Sequence, residues 1–253
     1  DIFPAIEQGQ IETILIGNPN APGHLGFAAE IIEAAKQNNT DIALIDGDDF
    51  KRVDQLEALL PEGPWFVRES LTGEPWDDRV IPFPFSFNSF SAPEFKPWVE
   101  RDTDVLWAGS NHFGRDKFIK ALDVFKGTGL RLEIVEARSL PLLEWNALLS
   151  RSKICICLTG AGRATYRYFE AGAAGCIPLI QNHGLRISND YPSFFDIRFD
   201  RPDEMNVLIQ DLLGKGESSL KHTSEEIMQL TWTSHTMVAR AAELLTILKT
   251  RKA

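Results

Sequence analysis

Two arginines and a glutamate, Arg163, Arg167 and Glu170, follow the turn Thr159-Gly160-Ala161-Gly162. Guanidinium groups fork onto oxyanions such as phosphate, and a carboxylate accepts hydrogen bonds from ligand hydroxyls. Thr165 adds a hydroxyl between them. A second glycine turn, Gly109-Ser110-Asn111, comes shortly before Arg115. Other chemistry lies nearer the start. Asp46-Gly47-Asp48-Asp49 gathers carboxylates that could hold a hard cation or take a proton from a hydroxyl, although Asp-Gly also simply makes a turn. His24, in a Pro-Gly-His loop, is a second candidate base, because histidine titrates near neutrality.

These residues have to be positioned by strands and helices, and the hydropathy pattern supplies them. Ile154 to Leu158 is a short apolar run of the kind that forms a buried parallel strand. Arg163 to Ala174 is good helix material, Gly175 suits the left-handed residue after it, and Cys176 to Ile180 is the next strand. On that reading Arg163 and Arg167 share a helix face one turn apart, and the helix start offers free N–H groups to an anion. Ile11–Ile16, Asp41–Ile45, Trp65–Arg68, Val105–Ala108, Leu130–Val135 and Phe194–Phe199 read as further strands. Helices are expected over Leu25–Asn38, Val53–Leu60, Arg115–Lys126, Leu142–Leu149, Pro202–Leu213 and Ser234–Leu248. Alternation of this kind means parallel sheets with crossover helices. Between Glu69 and Val99 prolines and aromatics crowd together. That stretch is too apolar for a disordered linker, and its rings are expected to pack rather than to stack on carbohydrate. We therefore expect two Rossmann-like domains facing a cleft, residues 1–100 and residues 101–253.

Composition excludes several function classes. Of 253 residues, 43% are hydrophobic and 25% charged, the mix of an ordinary globular protein. No apolar run approaches the ~18 residues of a membrane span. A net charge of −10 argues against a nucleic-acid surface and requires any nucleotide ligand to meet locally concentrated basic groups. Cys155, Cys157 and Cys176 fall in apolar strands, as core residues rather than as a disulfide framework or zinc site. No signal-peptide pattern is visible, and a cytoplasmic location is expected. The chain opens at Asp1 without methionine, which leaves room for a leader or further domain in a longer protein. Gly160-Ala161-Gly162 also invites a dinucleotide-fold reading. That reading needs an acid roughly 20 residues on, and the next strand ends instead at Gln181-Asn182.

The run Thr165, Arg167, Glu170, Ala173-Ala174-Gly175 and Cys176-Ile177-Pro178 resembles the donor-binding segment of GT-B glycosyltransferases, and within them the exostosin-type pattern. Upstream, Ser152-Lys153-Ile154-Cys155-Ile156-Cys157 is similar to that family's Ser-Lys-Phe-Cys-Leu-Cys run. The likeness extends from roughly Asp104 onward. It implies transfer of a hexosyl or pentosyl group from a nucleotide sugar, a UDP-sugar by resemblance, to the hydroxyl of a carbohydrate acceptor, with no further cofactor and no metal. Glu170 would bind ribose hydroxyls. Arg167, with Arg163 and Arg115, would neutralise the leaving diphosphate. The turns at Gly109-Ser110 and Gly160 would approach the nucleotide. The acceptor base stays open between His24 and the Asp46/Asp48 cluster. Many retaining GT-B enzymes carry a second glutamate about two helical turns before the one matched by Glu170. Gly162 stands there in this chain, so that group's catalytic roles do not transfer whole. Two alternatives accompany this reading. One is a catalytically silent glycosyltransferase-like binding module. The other is a metal-dependent GT-A enzyme, whose acidic triplet Asp46-Gly47-Asp48 resembles.

Overall fold

The computed structural model describes residues 2–17, 25–46, 57–68, 78–83, 86–136, 140–160, 162–163, 165–185 and 197–251. The chain divides into two compact units. One comprises Asp1–Pro84 with Ala161–Ala164 and Gly184–Asp190; the other comprises Phe85–Gly160, Thr165–His183 and Tyr191–Ala253.

In the first unit, α1 (Phe3–Glu7), β1 (Thr13–Gly17), α2 (Leu25–Gln37), β2 (Asp41–Asp46), β3 (Trp65–Val67) and β4 (Val80–Pro82) follow in order. The four strands form one parallel sheet in the order β1-β2-β3-β4, with Thr13 opposite Asp41, Leu44 opposite Trp65 and Trp65 opposite Val80. β4 comes from the proline-rich stretch. Pro82 is tolerated there because the strand lies at the sheet edge. Ile31, Ile32, Ala35, Leu44, Trp65 and Val67 make the core, and the Trp65 indole donates to the Leu60 carbonyl at 2.9 Å. Helical spacing in α2 marks Phe27, Ile31, Ala34 and Ala35 as its apolar face, and the buried face differs from it. Ala28 and Ile32 are buried beside Ile31 and Ala35, whereas Phe27 is 55% exposed and rests edge-on against Phe3. Of the helix expected over Val53–Leu60, residues 53–56 lie outside the described residues.

The second unit contains β5 (Thr103–Gly109), α3 (Asp116–Ala121) continuing into a 3-10 turn at Leu122–Phe125, β6 (Leu132–Glu136), α4 (Leu142–Ser150) and β7 (Ser152–Cys157). It goes on through α5 (Arg167–Ala173), β8 (Ile177–Gln181), β9 (Arg198–Phe199), α6 (Pro202–Gly214), α7 (Glu217–Ser234) and α8 (Met237–Thr250). Its five strands are all parallel in the order β6-β5-β7-β8-β9. Every residue of β5 is buried, as a central strand covered on both faces requires. Two residues of the aromatic–proline stretch, Phe87 and Trp98, belong to this core, while Phe90 is 89% exposed.

Small residues let α5 sit close to α7. A side chain at Gly172 would collide with the Thr231 hydroxyl, and the Trp232 indole donates to the Ala173 carbonyl at 3.0 Å. Gly175, at φ +72°, ends α5 as expected: Cys176 N–H reaches Ala171 O at 2.8 Å and Gly175 N–H reaches Gly172 O at 2.9 Å, the paired bonds of a Schellman stop. Cys155, Cys157 and Cys176 are buried thiols, not disulfides. Cys176 lies against the carbonyls of Leu149 and Ser152, and burial pushes its pKa up. Among the described residues no helix is long and apolar enough to cross a membrane.

Candidate functional site

The strand order of the second sheet creates the place where a ligand could sit. From β5 the chain crosses to β6 on one side, then returns to β7 on the other. The turns leaving β5 and β7 therefore diverge, and a crevice opens at the carboxyl ends of these two strands. Gly109-Ser110 follows β5, and Leu158, Thr159 and Gly160 follow β7.

Arg115 joins the two turns. Its Nε donates to Thr159 O at 2.7 Å, and its Nη1 donates to Ser110 O at 3.1 Å and to Ser110 Oγ at 3.4 Å. Only 7% exposed, it is spent mainly on backbone carbonyls and fixes the width of the crevice. Burial first, then the charge of Arg167, pulls its pKa down to about 10. Thr159 is held from the other side, its N–H and hydroxyl both donating to Gln181 Oε1 at 3.0 Å. Gly160, half-buried, ends that turn.

Arg167 approaches from α5. A Cβ added to Gly109 would stand 2.7 Å from both of its terminal nitrogens, so the guanidinium reaches the end of β5 only because residue 109 is glycine. Nη1 of Arg167 is buried and has no hydrogen-bond partner among the described residues, and the guanidinium carbon lies 5.7 Å from the centre of the Trp145 ring. Three residues on, Glu170 Oε2 accepts from Trp145 Nε1 at 2.8 Å. Among the described residues Oε1 accepts no hydrogen bond, and Arg167 and Glu170 form no ion pair. Burial lifts the Glu170 carboxyl above its ordinary range, against the pull of the indole N–H and of the Arg167 charge. An uncommitted cation, a neighbouring one and a carboxylate with an open oxygen thus share one crevice. Such a set can take an oxyanion and a hydroxyl-bearing group together.

Three expectations require correction. Helix α5 starts at Arg167, not Arg163. Thr165 stands before it, one residue ahead of the N-cap Tyr166: its Oγ1 accepts from Arg167 N–H at 3.3 Å and its own N–H donates to the Tyr168 hydroxyl at 3.1 Å. Threonine favours that place over a helix interior, and one of the N–H groups expected to face an anion is consumed. Arg163 therefore does not share a helix face with Arg167; it is exposed ahead of the helix and groups with the first unit. Asp46 ends β2 in the first unit, 3% exposed. His24 and Asp48 lie outside the described residues.

Trp145 is the site residue that the sequence did not reveal. In α4 it reads as one more apolar residue of an amphipathic helix, and nothing local marks the partner of its N–H.

The family model of glycosyl transferase-like proteins matches residues 54–246. Two parallel-sheet units and a likeness to sucrose-phosphate synthase (tll1590) from Thermosynechococcus elongatus define a GT-B fold. That likeness has a TM-score of 0.53 and 9% identity, covering 99% of this chain and 79% of the other. The chain belongs to the glycosyl transferase-like family. Weaker structural likenesses run to MurG of Acinetobacter baumannii (TM-score 0.39, 11% identity, covering 98% and 76%) and to the glycotransferase of kitacinnamycin (0.43, 13%, covering 97% and 78%). No curated protein matches the chain. A GT-B fold turns away from the GT-A alternative built on Asp46 and Asp48.

Proposed function

We propose that the chain transfers a hexosyl or pentosyl group from a UDP-sugar to a hydroxyl of a carbohydrate acceptor, as an exostosin-like member of the family. The observation that carries this reading is Arg167 at the crevice between β5 and β7, whose buried Nη1 has no hydrogen-bond partner among the described residues. A diphosphate oxygen would satisfy it. Arg115 adds positive potential from behind, since its own hydrogen bonds go to the two turns. As the sugar leaves, charge grows on the diphosphate, and fixed cations stabilise that growth without rearrangement. Glu170 would accept from the ribose hydroxyls through Oε1. The acceptor base is sought among His24, Asp46 and Asp48. In this reading arginines supply the charge that a cation would otherwise bring, so no metal is required.

A panel of nucleotides and nucleotide sugars tested by thermal shift, followed by donor hydrolysis and transfer assays, examines the proposal. UDP and a UDP-sugar should raise the melting temperature, because a ligand of the native state stabilises it by mass action. Donor turnover should persist in EDTA. Binding without any turnover, with or without acceptors, would make the chain a silent module. Failure of every nucleoside diphosphate to bind would overturn the site.

A further inference from the structure

Arg167 and Glu170 stand three residues apart on one helix, a spacing at which opposite charges pair readily. They do not pair, and one side chain engages both. The Trp145 indole N–H holds Glu170 Oε2 at 2.8 Å, and its ring faces the Arg167 guanidinium at 5.7 Å. We propose that Trp145 is a positioning residue that keeps Glu170 and Arg167 from pairing with each other, so that both stay open to a nucleotide ligand. The inference rests on the donor-site reading above.

Its physical basis is the chemistry of the indole. The N–H is a donor only, so it fixes one carboxylate oxygen without neutralising the charge, and the other oxygen is left for a ligand. The ring face attracts a guanidinium without using its N–H groups. Trp145 is itself anchored. Its backbone N–H donates to Pro141 O at 3.0 Å, Asn146 Nδ2 donates to Ser91 O at 2.9 Å and Ser150 Oγ donates to Glu94 O at 2.6 Å. Helix α4 is thereby tied to the segment before β5. Other titratable groups packed around α5 include His183, whose ring lies 6.0 Å from that of Tyr168, and Arg101, which donates to Ala174 O at 2.6 Å. Cys155 on β7 senses the charges of both Arg167 and Glu170, Arg115 senses Arg167, and His235, after α7, packs on Phe169. None of them competes with the indole for Glu170 Oε2.

The test replaces Trp145 by phenylalanine, which keeps a ring and loses the N–H. UDP binding, measured calorimetrically, should weaken about tenfold, as expected for a hydrogen bond to a charged group. The weakening should be smaller for 2′-deoxy-UDP. On acidification, UDP binding should be lost at higher pH than in wild type, because the carboxylate has lost a donor that favours its charged form. A purely structural tryptophan would lower the melting temperature without moving that pH limb. Glu170→Gln serves as the control. If it binds UDP like wild type, the donor-site reading falls, and this inference with it. If it weakens UDP while Trp145→Phe retains wild-type affinity and pH limb, this inference alone is overturned. Should Trp145→Phe not fold, the indole N–H resonance of Trp145 in otherwise wild-type protein decides. It should shift on Glu170→Gln, and an unmoved resonance overturns the proposal.

Discussion

The guanidinium of Arg167 rests on the backbone of Gly109, close enough that a methyl group there would stand 2.7 Å from Nη1 and Nη2. The colliding atoms are the far end of a flexible side chain, so the arginine must move aside, and φ +156° at Gly109 adds backbone strain to any side chain placed there. Gly109→Ala should therefore cost about 1–3 kcal/mol of stability from backbone strain and weaken UDP binding by about tenfold. Paired melting and calorimetry curves separate the two effects. A large loss of stability with unchanged affinity would contradict the placement of Arg167.

Arg167 and Arg115 should behave oppositely. Arg167→Ala removes a buried, unsatisfied donor and one contact with the Trp145 ring, so the melting temperature without ligand should barely change. UDP binding should weaken by about 1.5–3 kcal/mol, the size of a charge-assisted hydrogen bond. Arg115→Ala strips donors from the Thr159 and Ser110 carbonyls and should destabilise the unit by about 2–4 kcal/mol. Calorimetry and denaturant unfolding on both variants decide, and a stable Arg115→Ala protein would refute the clamp.

Glu170→Gln carries a sign that can be checked. Burial raises the folded carboxyl pKa above its unfolded value. The native state thus favours the protonated form, and this contribution is present at low pH and lost as pH rises through the folded pKa. Neutral glutamine should therefore leave the apo melting temperature at pH 7 unchanged or slightly higher. Binding should fall for UDP and fall less for its 2′-deoxy analogue, which has already lost a hydroxyl. Equal losses for both would remove the ribose assignment.

His235 predicts an acid limit. It is 1% exposed, and its Nδ1 lies 2.7 Å from Arg240 Nη2, which can only donate, so the ring there is an acceptor and neutral. Burial, then the Arg240 charge, draws its pKa from 6.5 down to about 3. Stability is full above the unfolded value near 6.5 and drains away as pH falls toward about 3, because the unfolded chain takes up the proton first. Melting curves should show about 2 kcal/mol lost between about pH 6.5 and 5. His235→Asn should flatten that slope.

Strand–turn–helix order, the parallel pairing and the Gly175 stop were legible because each has a local signature: an apolar run, a breaker, a left-handed glycine. Helix α7 was not. Its buried positions include Ser224 and Thr231 beside Leu220 and Ile227, so its apolar stripe is broken by hydroxyls that bond backbone carbonyls, Ser224 to Gly175 O and Thr231 to Ile227 O. Within the site, Arg167 and Glu170 stood out by charge and spacing. The start of α5 was misplaced because Thr165 looks like helix until its hydroxyl is seen bonded to the Arg167 N–H ahead of the first turn. Trp145, distant in sequence, could be joined to Glu170 only by the packing of α4 on β7.

β5 is paired along both edges and buried at all seven positions. Its amide protons should be the slowest in the second unit to exchange with deuterated solvent, released only when the whole unit opens. The turn bearing Gly109 and Ser110 grows directly from that slowest segment, and Arg115 staples it to the end of β7. A ligand arriving here meets a floor that outlasts almost every local fluctuation around it.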